Sequence, residues 1–291
     1  MDGSRGGHRP PLALSWLAVE RAEGLLGPDS VAWKVIGHPV SIVGGLRALI
    51  IQSLHPLAMA GVAQHSDYRN RSLHRLRRTA YYVSATTFGD LAAAHGAARR
   101  VKKMHRKVRG VDPVTGRPYS ADDPVTQLWV HCVEWHSFLA VYRAYAGGLS
   151  GADADRYIAE GVRIAALLDV PEDTVPASVA EMREYFATVR PELRMSEYAH
   201  DAIRFVISPP LTAELLPFQV PLRIVASAAM ATVPRDLRRL AGIDRSPALD
   251  ALTVAAVRPA AAVLNAPLLR EAPSLVLGRE TRAVATRARA A

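Results

Sequence analysis

The feature that most restricts this chain is a succession of apolar stripes at steps of three and four residues, without competing runs of alternating β-branched and aromatic residues. Capping residues open many of these stripes, and glycine or proline closes them. Ile42–Gln52 reads as an Ala/Leu/Ile helix entered through Gly44-Gly45, and His55-Pro56 breaks the periodicity before a second short helix to about Ala63. From Asn70 to Thr87, the residues Leu73, Leu76, Ala80 and Val83 predict one buried helical face, ended at Phe88-Gly89. Asp90 is the N-cap expected for a helix with the stripe Leu91, Ala94, Ala98, Val101, His105 and Val108. Ser120 with Asp123 reads as a capping box, with Pro124 in the first turn of a long helix to about Ala146. Ser150 with Asp153 and Ser178 with Glu181 open two more, and helical patterns recur at Glu197–Ile207, Leu222–Ala231 and Leu249–Val263. The fold class is therefore all-α: a single multi-helix domain over residues 26–270, a flexible segment at 1–25 and a disordered, Arg/Ala-rich tail at 271–291.

Composition narrows the function classes. An apolar share of 49% with 22% charged residues is that of a globular chain. The single cysteine, Cys132, excludes an internal disulfide and any Cys-rich zinc framework. A net charge of +9 favours acidic surfaces, including peripheral contact with an anionic membrane. The basic run Arg99–Arg109 has no interleaved aromatic residue, so nucleic acid is not the expected partner. No basic segment leads into an apolar run at the N-terminus, which sets a cytoplasmic location as the expectation. Arg223 falls within the apolar stretch Leu222–Val233, and Arg258-Pro259 interrupts Ala251–Leu269; neither stretch supplies about 20 uninterrupted apolar residues.

Seven of the ten histidines lie between His55 and His136, which points to this half of the chain as the site. His105 sits on an otherwise apolar stripe and needs a partner, for which a haem iron is one candidate. His131 lies on the stripe Leu128, His131, Trp135, Phe138 and Tyr142, and is open to three roles: second ligand, distal acid/base, or structural hydrogen-bond donor. Arg75, Arg78, Thr79 and Tyr82 share a polar helical face suited to haem propionates or to bound dioxygen. A paired Glu-x-x-His di-iron motif is not met, because only Glu197–His200 has the spacing.

The ordered strings GGLRALIIQSLHP (44–56), HS (65–66), RLRRT (75–79), FGD (88–90), MHRKVRG (104–110), PYSADDP (118–124) and WVH (129–131) resemble the latex-clearing-protein/MpaB-like oxygenase family. The likeness continues through LSGADADRYIAE (149–160), LLDVP (167–171) and PELR (191–194). The resemblance implies an all-helical fold with a globin-like core, haem b as cofactor, and oxidation of a hydrophobic, isoprenoid or olefinic substrate by dioxygen. It also implies that His105 is the axial iron ligand and that Arg75, Arg78 and Thr79 are distal catalytic residues. Arg75, Arg78 and His131 are further cofactor contacts. The small residues Ala94, Ala98 and Val101 beside His105 agree with close approach of a flat macrocycle. Two departures stand out. Arg78 occupies a lysine position, and no Asp or Glu occurs from Ser30 to Ser66, where rubber-cleaving members carry a glutamate base. A non-catalytic helical protein binding a lipid or prenyl ligand is the alternative reading.

Overall fold

The computed structural model describes residues 24–210, 216, 219–266, 281 and 284. The expectations for 1–25 and 271–291 lie almost wholly outside these; Gly24, where the described chain begins, is bridged to Asp90. Twelve α-helices are present among the described residues: α1 (Val31–Ile36), α2 (Ser41–Gln52), α3 (Pro56–His65), α4 (Ser72–Phe88), α5 (Leu91–His105), α6 (Pro124–Tyr145), α7 (Gly151–Ala166), α8 (Val179–Val189), α9 (Glu197–Ile207), α10 (Gln219–Thr232), α11 (Arg235–Leu240) and α12 (Pro247–Leu264). Short 3-10 turns lie at Glu172–Thr174 and Arg190–Glu192.

Local chemistry accounts for the boundaries. Pro56 opens α3 behind His55, whose Nδ1 accepts from the Ala58 amide, and α3 leaves α2 at an angle of 103°. The expected corner at His55-Pro56 is thus a sharp bend. Asp90 caps α5 by accepting from the Ala93 amide, as its position predicts. At α6 the expected capping box is displaced. Asp123 is itself the N-cap, accepting from the Val125 and Thr126 amides, while the Ser120 hydroxyl donates to Asp122. The N-terminal amides of α1, Val31 and Ala32, converge on the Glu160 carboxylate of α7 at 3.0 and 2.7 Å, where an anion also suits the helix dipole.

The segment between α5 and α6 forms a small antiparallel hairpin. Its strands are β1 (Arg109–Val111) and β2 (Pro118–Ser120), with Gly110 opposite Tyr119. Asp112 organises the connection by accepting from the Val114 and Thr115 amides, and Gly116 takes φ +68°.

Helix α6 is the axis of the molecule. On one side Leu128, Trp135, Phe138 and Tyr142 pack with α1 and α7; on the other Trp129, Val133, Val141 and Tyr145 pack with α2, α9 and α10. Two glycines permit this closeness. A Cβ on Gly44 of α2 would sit 2.7 Å from the Phe138 ring, and one on Gly161 of α7 would sit 2.6 Å from Trp135 Nε1. Helices α4 and α5 form an antiparallel pair joined at Gly89-Asp90. The stripe expected to bury one face of α4 is only half-buried at Leu73, Leu76, Ala80 and Val83; full burial is confined to Ser84–Thr87. Among the described residues, α1 covers the C-terminal half of α4 and not its N-terminal half.

Helix α12 is the one described helix long and apolar enough by composition to cross a membrane. Its two charges are tied to the rest of the fold: Asp250 to Arg238 and Arg245 at 2.5 and 2.6 Å, and Arg258 Nε to the Ala144 carbonyl at 2.7 Å. Leu249, Leu252 and Val263 of α12 and Val220 and Ile224 of α10 are exposed.

Candidate active site

The histidines that crowd the sequence disperse in space. His55 is buried as a helix cap, His65 bonds the Tyr119 hydroxyl and the Arg109 carbonyl, His74 and His95 are exposed, and His136 faces the α2 side of α6. Among the described residues no three His, Cys, Asp or Glu side chains converge on a common point. This donor set does not build a metal site from protein ligands alone. It does offer single imidazoles, which is what a macrocycle-bound iron requires.

His105 closes α5. Its Nδ1 is buried and has no hydrogen-bond partner. Burial pulls its pKa down, opposed by the Asp122 carboxylate and a backbone hydrogen bond at Ala121, so the ring is neutral at pH 7 with a lone pair to offer. The antiparallel pairing of α4 and α5 brings this turn beside the start of α4, where Arg78 Nη2 lies 2.9 Å from Met104 Sδ. Arg75, on the preceding turn of α4, is largely enclosed and is held by a 2.7 Å bond from Nη1 to Ser66 Oγ. Arg78 and Thr79 are exposed. The Arg78–Met104 contact thus joins this end of α5 to the stretch of α4 that carries Arg75 and Thr79, while the groups that act on the His105 ring are Asp122 and the Ala121 backbone, between β2 and α6.

His131 belongs to a different wall. It stacks on Trp135 with centroids 5.6 Å apart, and Trp135 stacks in turn on Tyr157 at 4.9 Å. The Trp135 indole donates to the Tyr157 carbonyl at 2.8 Å and the Tyr157 hydroxyl donates back to the Trp135 carbonyl at 3.0 Å, which locks the platform. Trp129 packs on the opposite side of α6 with the α2 cluster, because two residues along a helix turn the side chain by about 200°. Burial pulls the His131 pKa down to about 4, so this ring also is neutral.

One turn further along α6 is Glu134, which the sequence reading passed over. Burial pushes its carboxyl up to about 7, and its charge, after burial itself, helps raise the Tyr82 hydroxyl of α4. Tyr82, His131 and Glu134 each keep some accessible surface while losing nearly all hydration of their charged forms. Glu134 was detectable in principle: α6 is apolar on all sides, so a carboxylate in its middle has to be buried.

The arrangement provides a neutral imidazole with a free ring nitrogen, a fixed guanidinium, a hydroxyl, and a carboxyl that exchanges its proton near neutrality. Residues 33–266 match a family model described as the catalytic domain of ER-bound oxygenase mpaB/B′ and rubber oxygenase. No curated protein and no solved structure matches the chain.

Proposed function

The chain belongs to the mpaB/rubber-oxygenase catalytic-domain family and so carries an oxygenase domain; from that premise we propose that it is a haem b-dependent oxygenase acting with dioxygen on a hydrophobic, isoprenoid or olefinic substrate. The observation that carries this reading is the buried Nδ1 of His105, which has no hydrogen-bond partner among the described residues. Leaving such a nitrogen unsatisfied costs about 1–3 kcal/mol, a cost removed when a ligand completes it. Were haem b bound, His105 would hold its iron through the imidazole, Arg75 and Arg78 would serve the propionates or dioxygen, and His131 would be a further contact from α6.

Haem iron, when bound, supplies the binding and activation of dioxygen. The protein's own part is to orient, to donate and to exclude water. Arg75, held by Ser66, presents a fixed positive charge where negative charge develops on oxygen, and the Thr79 hydroxyl adds a second donor. Glu134 holds or releases a proton at its carboxyl near neutral pH, taking the part of the carboxylate missing between Ser30 and Ser66. The stacked His131, Trp135 and Tyr157 wall is rigid and largely apolar, as an olefin requires. Cytoplasmic work at a membrane surface fits the same reading, supported by the exposed apolar residues of α10 and α12 and the net charge of +9.

The test is the absorption spectrum of purified, haem-reconstituted protein with and without dithionite. A Soret band at one haem per chain that shifts on reduction and again with carbon monoxide is expected. A protein that stays colourless under haem titration overturns this reading in favour of a non-catalytic lipid- or prenyl-binding protein.

A further inference from the structure

On the side of α6 facing away from His131 lies a cavity of about 250 Å³ between α2, α6, α8 and α11. Ile51, Trp129, Val133 and Phe186 contribute apolar walls. Arg47 also lines it, as the only charged residue of α2, and is 1% exposed.

The partners of Arg47 are all neutral. Nε donates to the Thr232 carbonyl at 3.0 Å, Nη1 donates to Ser137 Oγ at 2.7 Å, and Nη1 approaches His136 Nδ1 at 3.5 Å. Among the described residues Nη2 has no hydrogen-bond partner, and no carboxylate pairs with the guanidinium. Asp236, the acidic residue at the cavity, is held by Arg190 at 2.9 Å. Thr232 ends α10, but a helix terminus offers only about half an elementary charge. Burial and the neighbouring Arg47 and Arg143 pull His136 down to about 3, so it stays neutral and accepts from Arg47 instead of adding charge. Buried cations are ordinarily paired, because an uncompensated one forfeits its hydration for nothing in return.

A second cavity of about 350 Å³, with Leu139, Ile158 and Met182 but also Arg143 and Arg183 in its walls, adjoins the first across His136 and Phe186. Those two rings pack edge to face at 5.1 Å and form the partition between the cavities. A buried cationic end and an apolar body describe the first cavity as a container for an amphipathic anion.

We propose that the Arg47 cavity is a binding site for a hydrophobic monocarboxylate, with the carboxylate on Arg47 Nη2 and the hydrocarbon chain between Trp129 and Phe186, separate from the His105 end of the α4–α5 pair. A carboxylate matches the planar guanidinium and replaces the missing counter-charge, whereas an uncharged head leaves it unpaired. The oxygenase reading and this one stand independently, since they use opposite sides of α6.

Isothermal titration calorimetry of the full chain with decanoate, 1-decanol and decyl phosphate tests the proposal. Decanoate is expected to bind at one per chain, at least tenfold more tightly than decanol and no more weakly than decyl phosphate, without moving any Soret band. Arg47→Met should bring decanoate down to the affinity of decanol. Val133→Phe, which fills the cavity and keeps the guanidinium, should abolish both, and it carries the test if Arg47→Met fails to fold. Equal binding of decanoate and decanol, tighter binding of decyl phosphate, no binding at all, or decanoate binding that survives Val133→Phe each overturns the proposal. A Soret shift on adding decanoate also overturns it, by moving the site to the haem.

Discussion

Replacing Glu134 by Gln tests how strongly burial perturbs the carboxyl in the middle of α6. The displacement of the Glu134 carboxyl from 4.5 to about 7 is due to burial. At about 1.4 kcal/mol per pH unit it amounts to about 3 kcal/mol between the folded and unfolded chains. The folded state holds the proton more tightly, so this contribution favours folding at low pH and is lost as pH rises from about 4.5 through 7. His131 and His136 act oppositely. Burial pulls them down to about 4 and about 3, so the unfolded chain binds their protons first and stability falls as pH drops below 6.5. The wild-type profile mixes these opposed slopes, and the difference between wild type and Glu134→Gln isolates the carboxyl. Urea denaturation from pH 5 to pH 8 should show the variant gaining on wild type with pH, to about 3 kcal/mol near pH 8, while the histidine-driven loss at low pH persists in both. A constant difference across that range refutes the argument, since it means that Glu134 titrates as an exposed glutamate.

The remaining predictions concern packing, the distal residues and the apolar surface. Gly161→Ala should destabilise the fold by about 1–3 kcal/mol in urea, because the added Cβ meets Trp135 Nε1 at 2.6 Å and disturbs the bond to the Tyr157 carbonyl. Thr79→Val should leave the melting temperature almost unchanged, since the residue is exposed, and Arg75→Ala should cost about 1 kcal/mol for the Ser66 bond; both should alter carbon monoxide affinity of the haem-loaded protein. Ile224→Asp with Leu252→Asp should reduce flotation with anionic vesicles while leaving circular dichroism intact, and undiminished flotation would remove α10 and α12 from any membrane contact.

What the sequence disclosed follows from which interactions are local. The Asp90 cap, the His55-Pro56 corner and the stripe of α6 depend on neighbours three or four residues away and are found where the spacing puts them; the α5 stripe holds only in part, since Ala94 and Ala98 are buried but Leu91 is exposed and Val108 lies beyond the helix, which ends at His105. The short helices α1 and α11 were not foreseen. Six residues carry less than two turns of periodicity, and α1 is fixed by Glu160, some 130 positions distant. The β1–β2 hairpin escaped because each strand has only three residues. Within the candidate site, the Arg75–Thr79 face and His105 were singled out from the polar and apolar sides of two helices. The importance of Glu134 and Arg47 was not, although each is a charge within an apolar helix. Their significance lies in burial without an opposite charge bound to them among the described residues, a condition that exists only after folding.

The central claim is that His105 carries the iron, and its most direct test is the absorption spectrum of haem-reconstituted His105→Ala beside His131→Ala. The account predicts that His105→Ala loses stoichiometric haem and regains a Soret band with added imidazole, because the orphaned ring nitrogen at the end of α5 has gone. His131→Ala should retain the cofactor with a lower melting temperature, having lost only a stacking partner of Trp135. Full haem retention in His105→Ala, or loss confined to His131→Ala, contradicts the assignment.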